Sequence, residues 1–145
     1  MISRGIGRSM AKESDSPVLL DTSVWVEHLR QGGEPRISTE VRRLIETGDA
    51  CLTGMVRLEL LRGARADSMD ALRANLLLLH PLQTQEGHFD LAGELGHRLA
   101  QEGFTVPQPD LLIATVAIDH GIPLMFRDRH FEVIAEHSDL QTYAF

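Results

Sequence analysis

The segment Val18-Leu19-Leu20-Asp21-Thr22-Ser23-Val24-Trp25 decides how the chain is read. Three consecutive apolar residues form a short strand. Asp21, Thr22 and Ser23 then supply the side-chain oxygens that start a helix, and Val24 to Leu29 continues with helical periodicity. Strand, tight turn and helix in succession open a parallel α/β sheet. In such sheets an acid placed directly after a strand lies at the edge where sites gather.

Working outward, the Gly/Pro interruption from Gly32 to Pro35 leads to Ser38 or Thr39 as the N-cap of a helix carrying Val41, Leu44 and Ile45, closed by Gly48. Ala50 to Thr53 reads as a second strand, Met55 to about Arg65 as a helix, and Met69 to Leu77 as another. Leu78 to Leu82 holds a strand that Pro81 confines to a sheet edge. Gly87 to Gln101 forms a helix stopped by Gly103. Beyond Pro107-Gln108-Pro109, the run Leu111 to Ile118 is a helix whose broad apolar face implies deep burial, ending at Gly121. Pro123 to Phe126 is a strand, Arg129 to Ala135 a short helix, and Leu140 to Phe145 a final strand. Strands separated by helices predict a single α/β domain with a parallel sheet covered on both faces. Residues 1–16, rich in Gly, Ser and charge, read as a flexible leader before a domain spanning 17–145.

The 145 residues are 43% hydrophobic, enough for one core. Against 14 basic residues stand 21 acidic ones, giving a formal charge of -7, which excludes a simple cationic coat for nucleic acid. An acidic chain meets phosphate differently, by clustering carboxylates around a divalent cation. Cys51 is the sole cysteine, so a disulfide framework and a cysteine zinc site are both excluded. With no apolar signal region and no membrane-length run, the expectation is a soluble cytoplasmic protein. Aromatic residues at 5% argue against a base-stacking platform.

Four acids occupy suggestive places. Asp21 and Asp128 follow strands directly, Glu59 lies about a turn into the helix after the second strand, and Asp110 stands in the first turn of the most apolar helix. Each also has a structural explanation. Asp21 and Asp128 suit helix caps, worth roughly 0.5–2 kcal/mol each. Asp110 suits a helix N-terminus, and Glu59 could pair with Arg62 along one helix face. Gathered together, the four would suit Mg²⁺ or Mn²⁺, hard cations that take oxygen ligands. Thr22 or Ser23 could then position a ligand or water, and Arg62, Arg127 and Arg129 could hold phosphate, since guanidinium binds it bidentately. Glu94 and His97 form a single Glu-x-x-His pair without partner helices and carry little weight. A haloacid-type phosphatase needs a second Asp two residues after the first, where this chain has Ser23.

Four segments together carry a family resemblance: Val18 to Trp25, Leu58-Glu59-Leu60-Leu61-Arg62-Gly63, Pro109-Asp110-Leu111-Leu112-Ile113-Ala114, and Arg127-Asp128-Arg129-His130-Phe131. In order and spacing, over about Val18 to Leu140, the chain resembles the PIN-domain ribonucleases, specifically the VapC-type toxins. The resemblance implies a PIN-like three-layer α/β/α sandwich with a mainly parallel central sheet. It implies Asp21, Glu59, Asp110 and Asp128 as catalytic acids and ligands of Mg²⁺ or Mn²⁺, and hydrolysis of single-stranded or loop regions of RNA. It further implies a cognate VapB-type antitoxin and a homodimer. The chain departs from the pattern twice. Many relatives have Thr or another small polar residue at the position of Phe126, and a further Asp at that of His130. A histidine there could coordinate a softer metal, contact phosphate, or simply sit at the surface of a helix start. A non-catalytic PIN-like module that binds RNA or an antitoxin is the alternative reading. Its mark would be a lost acid, and all four acids are present.

Overall fold

The computed structural model describes residues 16–145. The expected leader, but for its last residue, lies outside the described residues. The elements run β1 (Val18–Leu20), α1 (Thr22–Leu29), α2 (Pro35–Thr47), β2 (Ala50–Thr53), α3 (Gly54–Gly63), α4 (Met69–Leu76), β3 (His80–Leu82), α5 (Glu86–Gln101), α6 (Gln108–His120), β4 (Leu124–Met125) and α7 (Arg129–Glu136). The four strands form one sheet in the order β3-β2-β1-β4, and every pairing is parallel. Every residue of β1, β2 and β4 is buried. Successive strand residues face opposite sides of a sheet, so helices must cover both faces, which gives the expected three-layer sandwich.

The topology fixes where a site can form. From β1 the chain moves outward through β2 to β3, then returns to the other side of β1 for β4. The switch in direction therefore falls between the carboxyl ends of β1 and β4, where such folds open a crevice. Asp21 and Asp128 follow these two strands.

Two sequence expectations are corrected. Helix α2 begins at Pro35 after Glu34 rather than at a Ser38 or Thr39 cap. Proline at the first helical position has its φ already set and loses no hydrogen bond there, and the longer helix carries Ile37 into the core. The expected strand from Leu140 to Phe145 reduces to a single bridge, Leu124 to Thr142. Strand β4 has only two residues, too short to template a ladder. Its Leu124 N–H donates to the Gln141 carbonyl and its Leu124 carbonyl accepts from the Tyr143 N–H, both at 2.9 Å.

Helix α6 is buried through seven consecutive residues, Leu111 to Ala117. Each fully buried Leu, Ile or Val contributes about 1.5–3 kcal/mol, so this helix anchors the acid in its first turn. Helix α5 packs on α6 closely enough that a Cβ on Gly96 would stand 2.6 Å from Leu111 Cδ1. Buried His88 adds a polar link: its Nδ1 accepts from the Gln85 N–H (2.9 Å) and its Nε2 lies 2.7 Å from Asp119 on α6. Among the described residues no helix is long and apolar enough to cross a membrane.

The loop between α1 and α2 is equally tight. A Cβ on Gly33 would stand 1.8 Å from the Glu27 carbonyl oxygen, backbone that cannot rotate aside. Gly33→Ala is expected to destabilise the protein by at least ~1–3 kcal/mol and lower its urea midpoint. An unchanged midpoint would contradict this account of the loop.

Candidate metal centre

The end of β1 places the first acid. Asp21 is 4% exposed, and its N–H donates to the Met125 carbonyl of β4 at 3.0 Å. It caps α1: Oδ2 accepts from the Ser23 N–H (3.0 Å) and from the Ser23 hydroxyl (2.6 Å). The same Ser23 oxygen accepts the Arg127 N–H at 2.9 Å. One hydroxyl thus ties the carboxyl end of β1 to the loop that follows β4. Next to it the Thr22 hydroxyl donates to Glu59 Oε1 at 3.0 Å, fixing a carboxylate on α3. Asp128 caps α7, its Oδ1 accepting from the His130 N–H at 3.0 Å. Asp110 occupies the first turn of α6.

The capping reading and the site reading therefore both hold for Asp21 and Asp128. Each cap uses part of a carboxylate's acceptor capacity and leaves its remaining lone pairs for a further partner. Glu59 has Thr22 as its hydrogen-bond partner, and no ion pair joins it to Arg62 among the described residues.

Electrostatics shows how the acids converge. Burial, then the negative charges of Asp21 and Asp128, push the Asp110 carboxyl up to about 6, with Glu59 adding to the rise and His130 opposing it. Burial also raises Asp21, against the pull of its Ser23 hydrogen bonds, and Asp128 raises it further. Glu59 is raised by burial and by Asp21, with Thr22 opposing. Asp110 thus feels all three of the other acids. The tightest part is Asp110, Asp128 and His130, with one donor atom from each mutually within 4.8 Å. Asp21 and Glu59 border this trio.

His130, marked in the sequence only as a departure, stands inside the cluster. Its Nδ1 is 3.2 Å from Asp110 Oδ2 and 3.1 Å from Asp128 Oδ1. Phe126, the other departure, is structural: its ring packs 5.4 Å from that of fully buried Phe131 and holds the loop to α7. The arginines surround the centre. Arg127 contributes its backbone N–H, while its guanidinium pairs with Glu34. Arg129 is exposed at the start of α7, and Arg62 is exposed three residues beyond Glu59.

Four carboxylates gathered this closely, Asp21 buried and the others half-buried, make a poor resting arrangement without positive charge, and oxygen donors suit hard divalent cations. The residues present fit such an ion.

The PIN domain family model matches residues 18–137, and the chain belongs to this family. It is 35% identical over 133 residues to Ribonuclease VapC11 of Mycobacterium tuberculosis, covering 88% of this chain and 98% of that protein; a VapC ribonuclease of Mycobacterium bovis matches to the same extent. Among solved structures, VapBC2 from Rickettsia felis, bound to a DNA fragment from its promoter, superposes with a TM-score of 0.72 at 21% identity, covering 88% of this chain and 98% of that one. FitAcB from Neisseria gonorrhoeae gives 0.69 at 22% identity, covering 88% and 96%. At these identities the structural likeness establishes the fold.

The raised carboxyl has a calculable sign. Between about pH 4 and about 6, metal-free folded protein holds a proton on Asp110 that the unfolded chain has lost, so this group's contribution to stability falls as pH rises through that window. Asp110→Asn cannot ionise. Measured by urea unfolding without metal, its stability relative to wild type is expected to be higher at about pH 7 than at about pH 4. A relative stability that does not change with pH would contradict the raised carboxyl.

Proposed function

We propose that this chain is a metal-dependent endoribonuclease toxin of the VapC type, hydrolysing RNA phosphodiester bonds and neutralised by a cognate VapB-type antitoxin. The observation that carries the reading is the convergence of Asp21, Glu59, Asp110 and Asp128 at the switch between β1 and β4, in a PIN-family chain whose curated relatives are ribonucleases. Asp21, Asp110 and Asp128, with Glu59 beside them, would hold Mg²⁺ or Mn²⁺. When bound, such an ion supplies Lewis acidity at the scissile phosphate and lowers the pKa of a coordinated water.

The chain's own residues do the positioning. Ser23 fixes the Asp21 carboxylate and the Arg127 backbone together, and Thr22 fixes Glu59. Arg62 and Arg129, exposed near the acids, are placed to meet phosphate, and Arg127 can join them by leaving Glu34. Beside Thr22 and Glu59, a groove of about 470 Å³ runs along Val26, Leu29 and Leu72, with Val26 46% and Leu29 50% exposed. An apolar groove opening onto the acids suits an antitoxin segment that covers the site. The working setting is the cytoplasm, with a homodimer as the toxin unit.

Antitoxin-free protein incubated with total bacterial RNA and Mg²⁺ or Mn²⁺ is expected to produce discrete new RNA ends. EDTA should abolish them, and so should Asp21→Asn, which removes charge with little change of shape. Folded, metal-replete wild type that leaves RNA intact, or cutting indifferent to Asp21, would move the reading to a non-catalytic RNA- or antitoxin-binding module. Ser23→Ala, which leaves every acid in place but unties Asp21 from the β4 loop, is expected to weaken Mn²⁺ binding by ~10–100-fold in calorimetric titration. Unchanged affinity would remove Ser23 from the account.

A further inference from the structure

We propose that His130 is itself a metal ligand, through Nδ1, so that this chain's centre is a mixed nitrogen and oxygen site that favours a first-row transition ion over Mg²⁺. The inference rests on the metal-dependent reading above and adds to it the identity of one ligand and the direction of metal preference.

Three observations lead here. His130 Nδ1 is fully enclosed and makes no hydrogen bond in this structure. A buried polar atom without a partner is uncommon in a folded protein and asks for something to occupy its lone pair. The atom is not remote from polar groups: it faces Asp110 Oδ2 at 3.2 Å and Asp128 Oδ1 at 3.1 Å, yet neither oxygen lies where it would accept a hydrogen bond from the ring. Two donors each ~2.1–2.2 Å from a common cation, separated by an octahedral or tetrahedral angle, stand about 3.0–3.6 Å apart. Both distances fall in that range, and among the described residues these three bring one donor atom each close enough together to share an ion.

The local fold explains why the ring is held there. His130 is the second residue of α7, and its N–H is the donor that Asp128 caps. The carboxylate and the imidazole are therefore locked to the same helix turn. Phe131, the next residue, is fully buried, which prevents that turn from swinging away. A metal ion bound through Nδ1 would leave the ring's proton on Nε2. Imidazole nitrogen adds little for Mg²⁺, which prefers oxygen, but strengthens binding of ions further along the transition series.

The test uses untagged full-length protein loaded with Mn²⁺ and examined by pulsed electron paramagnetic resonance. The expected result is a nitrogen hyperfine coupling to bound Mn²⁺ that disappears in His130→Gln. In His130→Asp, an all-oxygen centre, the coupling should also vanish, and the ratio of Mn²⁺ to Mg²⁺ affinity should drop by about tenfold or more. Bound Mn²⁺ without nitrogen coupling in wild type would overturn the inference while leaving the carboxylate site intact. It would make His130 an ion-pair partner of the two acids. Coupling that survives in His130→Gln would assign the ligand to another histidine and equally overturn it. Failure of wild type to bind Mn²⁺ at all would remove the metal site together with the inference.

Discussion

Crowding carboxylates at one edge of a sheet costs free energy, because each negative charge raises the cost of ionising the next. That repulsion is the constraint on which the rest of the structure turns. Asp21 is nearly inaccessible, and Asp110 is pushed up to about 6 by burial and by its acidic neighbours. Such a group stays in place only if its supports do not relax. The central strand supports Asp21, α6 with its buried middle supports Asp110, and α7 supports Asp128 through its cap. The core supplies the rigidity, and a divalent cation would supply the missing charge.

Each acid is held by ordinary helix-start chemistry put to a second use. A capping aspartate turns one oxygen toward the first backbone N–H groups and keeps further lone pairs for another partner. In a parallel sheet the helix starts collect at the carboxyl edge, so several caps project into one crevice. The Ser23 hydroxyl then fixes the distance between two of them, donating to Asp21 and accepting from the backbone of Arg127. No dedicated scaffold is needed to build the centre beyond what the topology already provides.

Much of this was legible in the sequence because it rests on local patterns. The apolar run Val18 to Leu20 followed by Asp21, and the two-proline break before Asp110, marked strand ends and helix starts directly, and the acids came with them. What could not be read depended on contacts distant in sequence. The final strand failed because β4 is only two residues long, which the apolar run Pro123 to Phe126 does not reveal. The start of α2 was misplaced because Pro35 reads as an interruption when it is in fact a first helical residue. The placement of His130 Nδ1 between Asp110 and Asp128 was invisible, since a histidine two residues after an acid at a helix start carries no signal of what lies across the crevice. Likewise, buried His88 gave no sign in the sequence of its link to Asp119.

The central claim, that the acids converge on a divalent cation at the switch between β1 and β4, is tested most directly by diffraction from crystals grown with Mn²⁺, using its anomalous scattering. The account predicts an anomalous peak bounded by Asp21, Asp110 and Asp128. No peak at that place in a Mn²⁺-saturated crystal, or a peak elsewhere on the molecule alone, would contradict it.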